Sequence, residues 1–139
     1  MTALFADTFY WIALIDLSDS AHRRALELTT SSLADAPIIA TDEVLAKYLT
    51  FFATAHEQMR RQALANARRI LKNPGVRVIP QSRDSFLSGM ALYGARPDKG
   101  YSLVDCISMQ TMRKEGLSEV LTNDRHFEQE GFRALFRDS

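Results

Sequence analysis

The sequence predicts an α/β fold, a three-layer α/β/α sandwich around a short, mainly parallel sheet. Three observations point to it. Short apolar runs, among them "ALFAD", "IIAT", "VRVIP" and "SEVLT", alternate with longer stretches of helical periodicity. That alternation marks βαβ units, whose parallel strands are buried on both faces. Turn-forming residues separate the runs, with no repeat, low-complexity tract or long linker. The length of 139 residues, with 46% apolar and 24% charged side chains, suits one globular domain spanning residues 1–139.

Each element has local reasons. Ala3 to Asp7 reads as a short buried strand ending on an acid, and Thr8 to Ile15 then turns helical. Asp19 or Ser20 is placed to cap a helix running to Leu33. Pro37 precedes Ile38 to Thr41, whose β-branched residues fit a second buried strand. Thr41 or Asp42 caps the next helix, "TDEVLAKYLTFF". At about 100° per residue, Val44, Leu45, Tyr48, Leu49, Phe51 and Phe52 share one face. Glu43 and Ala46 then point to water, and Lys47 falls on the border. His56 to Lys72 is a long helix, ended by Asn73-Pro74-Gly75. Val76 to Pro80 is a third strand and Gln81 to Tyr93 a further helix. After the loop Gly94 to Gly100, Ser102 caps a helix from Leu103 to about Glu115. Ser118 to Thr122 is a fourth strand. Asn123 to Phe132 is a loop with one helical turn, and Phe132 to Phe136 a last edge strand.

Composition excludes several classes. The 17 basic and 17 acidic side chains cancel, so net charge does not mark a general nucleic-acid binder, although a local patch remains open. The one cysteine, Cys106, forms no internal disulfide and belongs to no CxxC or Cys/His cluster, which argues against structural zinc. A small buried hydrophobe is the expected role for it. "FYWIALI" is far too short to span a bilayer and follows no basic region. The expectation is a protein of the reducing cytoplasm, away from membranes.

In parallel sheets, sites lie outside the carboxyl ends of the strands. Acids gather there. Asp7 ends the first strand, Asp124 follows the fourth, and Asp105 lies in the first turn of the helix after Ser102. Alone, each has a structural explanation: a cap for Asp7, a helix-dipole partner for Asp105, an Asx-turn for Asp124. Three acids on one edge repel unless a cation sits between them. Carboxylate oxygens without soft ligands suit Mg²⁺ or Mn²⁺, and such a centre serves phosphodiester hydrolysis. His126, two residues past Asp124, is a candidate for touching phosphate, but as a surface-loop residue it reads first as a bystander. The sequence contains no nucleophile elbow and no phosphate-binding glycine loop. Phosphatases built on D-x-D after the first strand are excluded, because "DTF" places Phe9 at the second acid.

"LFADTFYWIAL", "YSLVDCISMQTMRKEG" and "EVLTNDRHFEQEGFRAL" resemble the first, third and last motifs of PIN-domain nucleases. The order and spacing match over nearly the whole chain. Length and layout look most like the VapC-type toxins of bacterial toxin–antitoxin pairs. The resemblance implies Mg²⁺ or Mn²⁺ bound by acids, cleavage of RNA, a homodimer, and a small antitoxin protein over the site. Carried over, Asp7, Asp105 and Asp124 match the family's aspartates. Thr8, Ser102 and Thr122 match its supporting hydroxyls, and Asn123 lies at a position where the family varies. The family's remaining acid is a Glu in T-x-x-V-L-x-E-x-L. Laid on "TDEVLAKYLT", that position is Lys47, a departure from the pattern. Glu43, one turn or about 5.4 Å away, is the nearest substitute ligand. Exchanging Glu for Lys changes the local charge from about −4 to about −2 if all groups are ionised. The expectation is therefore a lysine ammonium seated among the three aspartates, weak metal binding and little nuclease activity. A surface Lys47 paired with Glu43 is the plain alternative.

Basic side chains concentrate between His56 and Arg83. Arg60, Arg61, Arg68 and Arg69 are spaced to form one broad stripe on a helix, suited to RNA phosphates. Arg125, beside Asp124, is a further candidate for binding phosphate. An apolar groove near Phe9, Tyr10, Trp11, Phe51 and Phe52 could take a partner helix, although a core role is expected for most of these.

Overall fold

A computed structural model describes residues 2–31 and 34–138. Five strands form one sheet: β1 (Leu4–Ala6), β2 (Ile38–Thr41), β3 (Val76–Ile79), β4 (Glu119–Leu121) and β5 (Arg133–Ala134). Their order is β3-β2-β1-β4-β5 and every pairing is parallel. The helices α1 (Thr8–Ile15), α2 (His22–Thr30), α3 (Asp42–Phe51), α4 (Glu57–Lys72), α5 (Arg83–Ala95), α6 (Leu103–Glu115) and α7 (Arg125–Gln129) flank it in the expected α/β/α layers.

The central strand explains the topology. Leu4, Phe5 and Ala6 are all buried, so β1 needs cover on both faces and a neighbour at each edge. Phe5 pairs with Ile39 of β2 on one side and with Val120 of β4 on the other. Connections that run outward through β2 and β3 return to the far side of β1. The carboxyl ends of β1 and β4 therefore flank a topological switch point, where open α/β sheets place their ligands.

Helix ends follow local chemistry. Thr41, rather than Asp42, caps α3: its Oγ1 accepts the Val44 N–H at 3.1 Å. Asp42 instead accepts the Gln81 N–H at 2.9 Å and ties α3 to the β3–α5 link. Ser82 and Ser85 form a reciprocal cap, so α5 starts two residues after Gln81. α2 starts later than expected because Asp19 closes a turn on the Ala21 N–H at 2.8 Å and does not cap. The expected end of that helix, Leu33, lies outside the described residues. α6 ends at Gly116, whose φ of +72° is the left-handed conformation glycine adopts freely.

The last strand is shorter than expected. β5 has two residues, and a 3₁₀ turn (Leu135–Arg137) follows it. The turn buries Leu135, sends the Phe136 N–H to the Thr122 carbonyl at 3.2 Å, and sets the Phe136 ring edge-on to Phe9. Tyr10, Trp11 and Phe52, proposed for a partner groove, are core residues, whereas Phe51 is exposed. Among the described residues, no helix is long and apolar enough to cross a membrane.

Candidate active site

The loops leaving β1 and β4 meet at the switch point. Asp7 flanks the start of α1, yet its side chain makes no capping hydrogen bond. Thr122, at the end of β4, donates its hydroxyl to Asp7 Oδ2 at 2.8 Å. The same Thr122 Oγ1 accepts the Asp124 N–H at 3.2 Å. One hydroxyl thus fixes both acids relative to each other. Burial pushes the Asp7 carboxyl up to about 6, opposed by the Thr122 bond and reinforced by the charge of Asp105. Asp7 and Asp105 are therefore electrostatic neighbours although 98 positions apart.

Asp105 is held by a reciprocal cap on α6. Its N–H donates to Ser102 Oγ at 3.0 Å, and its Oδ2 accepts the Ser102 N–H at 3.2 Å. Asp124 caps α7, its Oδ1 accepting the His126 N–H at 2.9 Å. The structural roles expected for these two acids are thus present, but each carboxylate also keeps capacity to spare. Asp105, Asp124 and His126 each offer a ligand atom, and these atoms lie within 4.8 Å of one another. His126 Nδ1 is buried without a hydrogen-bond partner. An orphaned nitrogen beside two carboxylates is a donor set that fits a divalent cation.

Thr8 donates its hydroxyl to the Val44 carbonyl at 3.1 Å and so joins α1 to α3, fixing the spacing of Asp7 from residue 47. Asn123 and Arg125 are exposed beside Asp124. Arg60, Arg61, Arg68 and Arg69 are exposed along α4, and among the described residues none forms an ion pair with the three aspartates. Arg61 instead pairs with Glu57 at 2.7 Å, and Arg60 donates to the Ala53 carbonyl at 2.6 Å. Cys106 is buried, and burial raises its thiol, which suits the expected hydrophobe.

Lys47 corrects the helical-wheel expectation. It is exposed, while Glu43 is half-buried, the reverse of the predicted order. A wheel sees one helix; here the first turn of α3 faces a cavity that α5 and α6 also line. Glu43 lines a cavity of about 650 Å³ with Ser82, Arg83, Phe86, Leu103 and Ile107, outside the Asp105–Asp124–His126 group. Lys47 lowers the Asp7 carboxyl by its charge, but by less than burial, the Thr122 bond or the charge of Asp105 shift it. Among the described residues it forms no ion pair with the aspartates or with Glu43. The ammonium is near the centre without being seated in it.

One group around the site carries no sequence signal. The Glu130 carboxylate, with 4% of its side chain exposed, receives Arg96 Nε at 2.8 Å and Arg113 Nη2 at 2.6 Å. It also receives the Tyr101 hydroxyl at 2.9 Å. Burial would raise Glu130, but these partners outweigh it and hold the carboxyl at about 2. The Tyr101 ring in turn lies 5.1 Å from the His126 ring. The cluster locks the end of α7 onto α5 and α6, and with it the placing of Asp124 and His126.

The PIN domain profile matches residues 4–132, and the chain belongs to that family. Its form within the family is VapC-like. The VapC20 toxin of Mycobacterium tuberculosis, described as cleaving the sarcin-ricin loop, is similar with a TM-score of 0.82 at 25% identity, over 94% of this chain and 96% of that one. FitAcB from Neisseria gonorrhoeae shares the fold with a TM-score of 0.67 at 15% identity, over 94% and 95%. No curated protein matches the sequence significantly.

Proposed function

We propose that this chain is a metal-dependent endoribonuclease, the toxin of a toxin–antitoxin pair, with activity impaired by Lys47. The observation that carries this reading is the gathering of Asp7, Asp105 and Asp124 at the switch point, beside an orphaned histidine nitrogen. Membership of the PIN family and likeness to a toxin described as cleaving the sarcin-ricin loop support it.

Asp7, Asp105 and Asp124 would hold Mg²⁺ or Mn²⁺. When bound, the cation lowers the pKa of a water and steadies charge on the phosphoryl oxygens. Thr122 orients Asp7, and Ser102 orients Asp105, so the carboxylates are set before substrate arrives. Arg125 beside the acids and the arginines of α4 would bind phosphates of the RNA and fix its register. Lys47 removes one carboxylate from the set and adds a positive charge nearby. Both effects lower metal affinity, and Glu43, which lines the cavity beside α5 and α6, is not expected to replace the missing ligand.

A small antitoxin protein and a second copy of the chain are the expected partners. Phe86, Leu87, Met90 and Tyr93 leave an exposed apolar face on α5 of the kind partners cover. The cytoplasm is the expected compartment. Lys47 itself favours one other reading, a non-catalytic PIN module that binds RNA or an antitoxin-like protein. Restoring glutamate separates the two. Cleavage of RNA by the Lys47→Glu protein, dependent on Mn²⁺ or Mg²⁺ and abolished by EDTA, identifies the enzyme; continued inactivity in the presence of bound metal identifies the module.

A further inference from the structure

His126 faces the acid centre with Nδ1, a nitrogen that has no hydrogen-bond partner among the described residues. A buried ring nitrogen without a partner is costly unless something else meets it. Nδ1 lies 3.3 Å from Asp124 Oδ1 and 3.9 Å from Asp105 Oδ2. Two ligands of one cation, each about 2.1 Å from it, stand about 3 to 4.2 Å apart. Both distances fall in that interval. The closeness to Asp124 follows partly from the short turn between them, but Asp105 comes from a different helix. Neither carboxylate meets Nδ1 in hydrogen-bonding geometry.

The His126 ring also has an aromatic neighbour. Tyr101 packs against it at 5.1 Å, and its hydroxyl is fixed by Glu130 at 2.9 Å. This ring–ring contact restricts how the imidazole can turn. The carboxylate missing at position 47 leaves the oxygen set one short. An imidazole nitrogen in its place shifts the balance among cations. Mg²⁺ prefers oxygen and gives up water reluctantly; Mn²⁺, though the weakest nitrogen binder of the first-row divalent ions, still accepts an imidazole more readily than Mg²⁺ does.

We propose that His126 supplies Nδ1 as a ligand to the cation of this centre, beside Asp105 and Asp124, so that the chain takes Mn²⁺ ahead of Mg²⁺. The inference rests on the nuclease reading above and goes further by naming a nitrogen donor and a metal preference.

Pulsed electron paramagnetic resonance of the native protein loaded with Mn²⁺ tests it. The expected result is ¹⁴N modulation from a directly bound imidazole, absent in His126→Gln. Competition titrations should show His126→Gln losing Mn²⁺ affinity by about ten-fold or more, with Mg²⁺ affinity changed less than about two-fold. Bound Mn²⁺ without imidazole ¹⁴N modulation overturns the proposal, as does equal weakening of both metals in the variant. The spectrum of the native protein decides the point even if the variant folds poorly. A native chain that takes up no Mn²⁺ also overturns it. Lys47→Glu measured alongside then separates the two failures: if that protein binds metal, the acid centre stands and only the nitrogen ligand falls.

Discussion

Asp7 occupies a capping position without capping. Its carboxylate is turned to Thr122 and buried, and it stays near Asp105 at a cost to folding. The folded carboxyl, at about 6, lies above its ordinary 3.8, so the folded state holds the proton more tightly. Stability should therefore fall as pH rises from about 4 through 6, with the full cost present above that window. In EDTA, Asp7→Asn should stabilise the protein at pH 7.5 by up to about 3 kcal/mol, and the gain should fade by pH 4. Urea unfolding at the two pH values checks it; a gain of equal size at both would show that ionisation of Asp7 is not the cause. Glu130 has the opposite sign. Its carboxyl is held near 2, so its contribution is complete above about pH 4.5 and is lost as pH falls toward 2. Because Arg96 and Arg113 remain partly exposed, Glu130→Gln should cost about 2 kcal/mol at neutral pH rather than the full penalty of a broken buried pair. Denaturant melts at pH 7 and pH 3 read this directly, with a smaller difference expected at pH 3. The two kinds of residue differ in how the sequence reveals them. Asp7, Asp105 and Asp124 each end or open an element, so strand and helix patterns locate them. Glu130 draws its partners from 17 to 34 positions away, and no local pattern records such a meeting.

Elements pack more closely than periodicity alone conveys. α5 and α6 meet at Gly89, where an added Cβ would lie 3.2 Å from the Ile107 backbone nitrogen and closer still to its side chain. Alanine there gains about 1 kcal/mol of helix propensity but overpacks the interface by about 1–3 kcal/mol. Gly89→Ala should lower the urea midpoint; an unchanged or raised midpoint would mean that α5 shifts freely. The same packing explains why periodicity misplaces two side chains of α3. Hydrophobic spacing locates the helix and its buried residues Val44, Leu45 and Tyr48 correctly. It ranks Lys47 as nearer the core than Glu43 because a wheel contains no neighbouring helices. The cavity that Glu43 shares with α5 and α6 exists only in the folded chain. β5 is shorter than its sequence suggests for a related reason: "FRALF" has a strand's composition, but Phe136 does better against Phe9 than as a strand residue.

On the scale of the whole molecule, a neutral chain separates its charges. Acids meet at the switch point and arginines line α4, on separate elements. If those arginines bind RNA phosphates, Arg61→Ala with Arg68→Ala should weaken binding of a labelled single-stranded RNA. Each single-strand phosphate that an arginine no longer neutralises lowers the salt slope by about 0.7, so the double variant should approach a change of about 1.4. An unchanged slope would remove α4 from the RNA surface. The chain order of strands, the parallel sheet and the placing of acids at its carboxyl edge are all legible in the sequence, because βαβ connectivity leaves few alternatives. What the ammonium of Lys47 does is not, since its reach depends on how α1 and α3 are joined by the Thr8–Val44 bond. The central claim is that residue 47 sets the charge of a cation centre. The most direct measurement is the melting temperature of the native and Lys47→Glu proteins in EDTA and in Mn²⁺, which needs no knowledge of the RNA. The glutamate form should melt a few degrees lower in EDTA and gain more from Mn²⁺ than the native chain, by linkage to tighter binding. A Lys47→Glu protein that melts higher in EDTA, or that gains nothing from Mn²⁺, would contradict the account.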